Sequence, residues 1–107
     1  MKKVENNELD LNANISVIKF GAPWCGPCRV MEPVIESVEE ELKADNVDFF
    51  DINVDNNQEL AQKFSIRAVP TIIIARKKND SEYEVLEFLT GVISKEDLVM
   101  KIKNALM

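Results

Sequence analysis

The chain has no histidine and only two cysteines. A structural zinc site needs about four Cys or His ligands, so one copy cannot build it. An iron–sulfur cluster would need further cysteines from another subunit. A Cys–His hydrolase is excluded, because no imidazole is present to act as base. No apolar run approaches the roughly 18 residues that a membrane helix requires. Basic residues are the minority, and a net charge of −6 argues against nucleic acid as a partner. Met1 to Asn14 is polar and lacks a secretory apolar region, so the cytoplasm is the expected location. There is no glycine-rich dinucleotide motif, internal repeat, linker or low-complexity block.

What is present fits one α/β domain over residues 1–107. At 107 residues, with 46% hydrophobic and 30% charged, the chain can bury a core without staples. Both cysteines fall in Trp24-Cys25-Gly26-Pro27-Cys28. Two thiols separated by two residues can close a small disulfide ring and reopen it. Pro27 and the apolar stretch behind it place the second thiol in the first turn of a helix. A helix start favours the thiolate of Cys25, the form that attacks disulfides. Three readings of the pair remain: redox catalysis, a structural disulfide or two inert thiols, and a metal shared across a dimer. The first is preferred, because the pair lies beside a βαβ pattern.

Ile15 to Phe20 reads as a β-branched strand ended by Gly21-Ala22-Pro23. A helix follows from about Pro27 to Lys43. Met31, Ile35, Val38 and Leu42 share one of its faces. Pro27 suits the first turn, and Pro33 inside the helix should kink it. The run Glu39-Glu40-Glu41 reads as a solvated face. Val47 to Val54 is a second strand, apolar enough to be central. A short helix spans about Gln58 to Phe64, with Leu60, Ala61 and Phe64 inward. Thr71 to Ala75 is a third strand, Lys77 to Ser81 a polar turn, and Glu84 to Leu89 a fourth, antiparallel strand. Ser94 caps a last helix, with Asp97 as the acidic partner of the cap. Leu98, Ile102 and Ala105 or Leu106 form its buried stripe. The order is β-α-β-α-β-β-α, with helices on both faces of a mixed sheet. Residues 1–14 are the least readable; Val4 to Leu11 holds either a short edge strand or a turn.

From about Ile15 to Leu106 the chain resembles the thioredoxins. The Trp-Cys-Gly-Pro-Cys motif carries the likeness, supported by Pro33, Val69-Pro70-Thr71 before the third strand and Gly91 after the fourth. The resemblance implies the thioredoxin fold, with the N-terminal strand and helix shortened. It implies that Cys25 is the attacking thiolate and Cys28 the resolving thiol. It also implies a cis Pro70 facing the cysteines and presenting the backbone of Val69 to an extended substrate. Trp24, Gly26, Pro27 and Gly91 would complete the groove. The plainer alternatives are a trans proline opening a strand for Pro70 and core packing for Trp24.

Two charges depart from the family pattern. Lys19 stands where the family usually has a buried aspartate, six residues before the first cysteine. Asp51 stands where it usually has the partner lysine. Facing each other, both can remain charged. Alternatively Lys19 snorkels to water and Asp51 lies near a strand edge. An ammonium beside the thiols would favour thiolates and make the couple more oxidising. Gly21 stands where an aromatic residue is usual, which should open the groove beside the motif. The short N-terminus could expose a sheet edge.

The expected function is reduction of protein disulfides by reversible Cys25–Cys28 exchange. No bound cofactor is expected, and electrons would come from an external donor such as a thioredoxin reductase. The expected partners are disulfide-containing proteins, with no nucleic acid or membrane, and the expected state is a monomer. The competing functions are a more oxidising oxidase or isomerase and a non-catalytic binding module of the same fold.

Overall fold

Side-chain alternation along three neighbouring strands decides what lies on each side of the sheet. The computed structural model describes all residues, Met1 to Met107. In chain order it contains β1 (Lys2–Lys3), β2 (Ile15–Gly21), α1 (Gly26–Glu41), a 3-10 turn (Lys43–Asp45) and β3 (Val47–Asn53). Then come α2 (Gln58–Lys63), β4 (Thr71–Lys77), β5 (Tyr83–Thr90) and α3 (Lys95–Leu106). The strands lie in the order β1-β3-β2-β4-β5. β3 runs parallel to β2 and β1, β4 runs antiparallel to β2, and β5 antiparallel to β4.

Because side chains point to opposite faces with a period of two, each inner strand feeds two cores. Ile15 and Val17 of β2, Phe49 of β3, and Ile72 and Ile74 of β4 pack with Met31, Ile35, Val38 and Leu42. Leu98, Ile102 and Ala105 of α3 close the same layer. The intervening residues Ile18, Phe20, Phe50, Ile52, Ile73 and Ala75 meet Leu60, Phe64 and Val4 on the other side. Covered on both faces, β2 is buried along its whole length. Its near-continuous apolar sequence is the mark of such a strand. Each fully buried Ile, Leu or Phe contributes roughly 1.5–3 kcal/mol, and the aligned stripe of α1 places four large apolar side chains at once.

Two expectations need correction. β3 is not central: it lies between β2 and the short edge strand β1, and its apolar run reflects the layers packed on both its faces. Ala61, expected inward, is only half-buried. Val4 to Leu11 holds the turn, at Asn6 and Asn7, and not the strand; the edge strand is Lys2–Lys3, ahead of it. At Pro33 the helix continues to Glu41. Pro33 is exposed, so the carbonyl it leaves unbonded can meet water. The edge of β3 is partly covered by β1, with Val4 adding a bond from its N–H to the Asp51 carbonyl at 3.1 Å. Two lysines on so short an edge strand discourage pairing with another chain.

The N-terminal segment is held by an exchange between two asparagines. Asn57 precedes α2 but makes no capping bond to it. The Asn57 side chain is fully buried and donates to the carbonyls of Val4 at 3.2 Å and Asn53 at 3.0 Å. Its oxygen accepts the Asn7 N–H at 2.8 Å. Asn7 in turn accepts the N–H of Leu60 at 3.1 Å, the third residue of α2. The cap of α2 is therefore supplied from far away in sequence. Asn6 and Asn7 both have positive φ, 54° and 58°, a conformation that asparagine tolerates better than most residues. Removing an N-cap costs about 1 kcal/mol. Asn7→Ala should therefore lower the urea midpoint by an amount equivalent to about 1 kcal/mol, whereas an unchanged midpoint would show that the cap contributes nothing.

Candidate active site

The chain topology gathers the site at one end of the sheet. β2 and β3 both finish there, β4 begins there, and β5 returns there. Open α/β sheets place ligand sites at the carboxyl ends of their parallel strands. Four short connections meet at this end: Ala22 to Cys25, Val54 to Asn57, Ala68 to Pro70, and Gly91 to Ser94.

Cys25 is the N-cap of α1, with extended backbone, and its sulfur accepts the N–H of Cys28 at 3.2 Å. Pro27 occupies the first turn, where its missing donor costs nothing. The two cysteines form a disulfide with Cα atoms 5.3 Å apart. Both are buried and pack with Ala22, Val54 and Val69. The Cys25 sulfur lies 3.7 Å from the Val69 carbonyl oxygen. The Val69–Pro70 peptide bond is cis. Gly91 donates its N–H to the Pro70 carbonyl at 2.9 Å and has φ +94°, the region that favours glycine. Gly26 and Pro27 are exposed at the helix tip, and a side chain on Gly26 would meet open space.

Trp24 is not packed in the core. It is 68% exposed, and its indole N–H donates to Asp55 Oδ2 at 3.0 Å. Arg29 braces the same loop by donating to the Pro23 carbonyl at 2.7 Å. Asp55 and Arg29 were not singled out in the sequence. Asp55 lies 31 residues from Trp24 and leaves no local signal.

Lys19 and Asp51 are direct neighbours in the parallel ladder of β2 and β3. Both face the α1 side of the sheet, by alternation with Ile18 and Phe50 on the opposite side. Lys19 is 4% exposed, and its Nζ lies 3.5 Å from Asp51 Oδ1. A second carboxylate, Glu32 Oε1, is 4.0 Å away. Glu32 was also missed, although its place one helical turn beyond Cys28 puts the two on one face.

Gly21 brings the charges and the sulfur together. A Cβ there would sit 3.2 Å from Lys19 Cε and 3.3 Å from Cys28 Sγ. The missing methyl group is what allows both to approach. A polar cleft of about 380 Å³ lies here, lined among others by Lys19, Gly21, Cys28, Glu32 and Asp51. No cluster of three or more His, Cys, Asp or Glu residues is arranged to hold a metal ion. No helix is long and apolar enough to cross a membrane.

The thioredoxin family model matches residues 2–104. The chain belongs to the thioredoxin family. It is 34% identical to thioredoxin of Bacillus subtilis over 89 residues, which is 83% of this chain and 80% of that protein. It is 40% identical to thioredoxin of Pyropia yezoensis over 95 residues, 88% of this chain and 83% of that protein. Among solved structures, a thioredoxin variant from Halobacterium salinarum NRC-1 superposes with a TM-score of 0.85 at 30% identity. That match covers 99% of this chain and 90% of the other. The fold is the thioredoxin fold, and the chemistry of the Cys25–Cys28 pair is that of a thiol–disulfide oxidoreductase with protein-disulfide reductase activity. Thioredoxins need no bound cofactor for this exchange, act on disulfide substrates and are reduced by thioredoxin reductase.

The two partners of the Lys19–Asp51 pair should respond unequally to mutation. Asp51→Asn leaves a buried ammonium facing only Glu32, and should cost about 1–3 kcal/mol. Lys19→Met replaces the cation by an apolar side chain of similar length and leaves a carboxylate that already reaches the cleft. It should change stability by less than about 1 kcal/mol. Urea midpoints of the oxidised proteins test the order, and a larger loss in Lys19→Met would contradict it.

Proposed function

We propose that Cys25 is the attacking thiolate and Cys28 the resolving thiol in the reduction of protein disulfides. The observation that carries this reading is the position of the Cys25 sulfur. It caps α1, receives the Cys28 N–H, and lies against the Val69 carbonyl beside Pro70. A thiolate formed there is stabilised by that N–H and by the positive end of the helix.

In the first step the Cys25 thiolate attacks one sulfur of the substrate disulfide. A mixed disulfide forms, and the other substrate sulfur leaves as a thiolate that takes a proton. Cys28 then attacks the Cys25 sulfur, the second substrate sulfur departs, and the ring closes. Two electrons pass from the cysteine pair to the substrate. The backbone of Val69 receives an extended substrate segment as an added strand, flanked by Trp24, Gly26, Pro27, Pro70 and Gly91. Exposed Trp24 and Val92 offer apolar contact on either side of the motif. Recognition of backbone more than side chains favours a broad range of disulfide proteins.

The oxidised pair returns to the dithiol by accepting electrons from a flavin-dependent thioredoxin reductase. The protein acts as a monomer in the cytoplasm, where such recycling keeps catalytic cysteines reduced. Lys19 and Asp51 form part of the site: the ammonium, close to Cys28 across Gly21, favours the open, thiolate-bearing state and makes the couple somewhat more oxidising.

Dithiothreitol-driven reduction of insulin at neutral pH, comparing wild type with Cys25→Ser, tests the proposal. Wild type should accelerate the reaction, and Cys25→Ser should fall to the rate of dithiothreitol alone. Equal rates for the two proteins would remove the assignment of Cys25 and favour a binding module. In the same assay Cys28→Ser should accumulate a protein–substrate mixed disulfide, visible by non-reducing electrophoresis.

A further inference from the structure

Lys19 does not serve one carboxylate. Its stem is fixed, with the side chain 5% exposed, while Asp51 approaches at 3.5 Å and Glu32 at 4.0 Å. Neither distance reaches the roughly 2.7–2.9 Å of a charge-assisted hydrogen bond. The ammonium is therefore shared between two anions. The two differ in freedom: the Asp51 side chain is 22% exposed and held in a strand, whereas Glu32 is 50% exposed on the rim of the cleft.

Opening the disulfide adds a third anion to this group. A dithiol donor gives two electrons to the ring and is itself oxidised to a disulfide. The protein is left with one thiol and one thiolate, and a proton passes to water. Cys28 Sγ and the end of the Lys19 stem both border the bare face of Gly21. Arg29, which also lines the cleft, is occupied by the Pro23 carbonyl, while Lys3 and Glu5 belong to the N-terminal side of the same cleft. A thiolate on the opened pair, whose Cys28 sulfur borders Gly21 beside Lys19, draws on the same ammonium that Glu32 partly neutralises.

We propose that Glu32 is a positioning residue for the exchange reaction, its carboxylate competing with the active-site thiolate for the Lys19 ammonium and so setting the balance between disulfide and dithiol. The inference rests on the role given to Lys19 above. Removing the charge of Glu32 leaves more of the ammonium's field on the thiolate and stabilises the reduced form.

The test is equilibration of the full-length protein with glutathione and glutathione disulfide at pH 7, reading the reduced fraction by thiol trapping and mass. Wild type, Glu32→Gln, Lys19→Met, the double variant and Glu36→Gln are compared. Glu36 is exposed on the next turn of α1 and has no ion pair, so it controls for the charge of the helix as a whole. Glu32→Gln should raise the equilibrium constant for the reduced form by about two- to fivefold, the range for a half-exposed pair. The shift should shrink as salt is added. Lys19→Met should move it the other way, and Glu32→Gln should have a smaller effect in the Lys19→Met background. No shift in Glu32→Gln alongside a clear shift in Lys19→Met would overturn the role of Glu32 and leave that of Lys19 standing. No shift in either would overturn both. An equal shift in Glu36→Gln would also overturn the proposal, because the effect would then belong to helix charge in general.

Discussion

The site depends on where α1 begins. The Cys25 sulfur is both the reactive atom and the acceptor that closes the helix start, taking the N–H of Cys28. One atom therefore fixes the local backbone and receives the electrostatic benefit of that backbone. The helix cannot begin a residue earlier or later without moving the reactive sulfur off its cap. Below it, the apolar stripe of Met31, Ile35, Val38 and Leu42 anchors α1 to the sheet, so the start is set by the packing of the whole helix. Chemistry at the tip and burial along the shaft are one constraint.

A second consequence concerns charge in a central strand. β2 is buried on both faces, yet carries a lysine. A charge there is tolerable only with compensation. The parallel register with β3 supplies Asp51, the helix supplies Glu32, and the bare Gly21 leaves room for the end of the Lys19 stem. Each of the three arises from a different element. Together they explain how the position that the family usually fills with a carboxylate holds a cation without unmaking the fold.

Much of this was legible in the sequence because it is local. The strand at Ile15, the four-residue stripe of α1, the cap at Ser94 and the redox motif each lie within one stretch of chain. The facing of Lys19 and Asp51 was also accessible, since both positions could be aligned to a family pattern. Contacts between distant segments were not. The Asn7–Asn57 exchange joins residues 50 apart, and the indole bond of Trp24 reaches Asp55, with no periodicity to announce either. The apolar run of β3 misled for a different reason. Burial by layers above and below reads the same in sequence as burial between neighbouring strands. Glu32 was the one omission that helical spacing from Cys28 could have repaired.

The borrowed cap of α2 also orders events in time. A chain made from its N-terminus presents Asn7 long before Leu60, 53 residues later, has been added. At roughly 5–20 residues per second, the leading segment waits for several seconds without its partners. Val4, Leu9 and Leu11, which pack on the α2 side of the sheet, wait through that interval for Leu60 and Phe64. That layer has all its buried members once Ala75 has been made, whereas the layer on the α1 side waits for Leu98, Ile102 and Ala105 of α3. The side of the sheet that the N-terminal segment straps can therefore be completed before the side that bears α1 and α3.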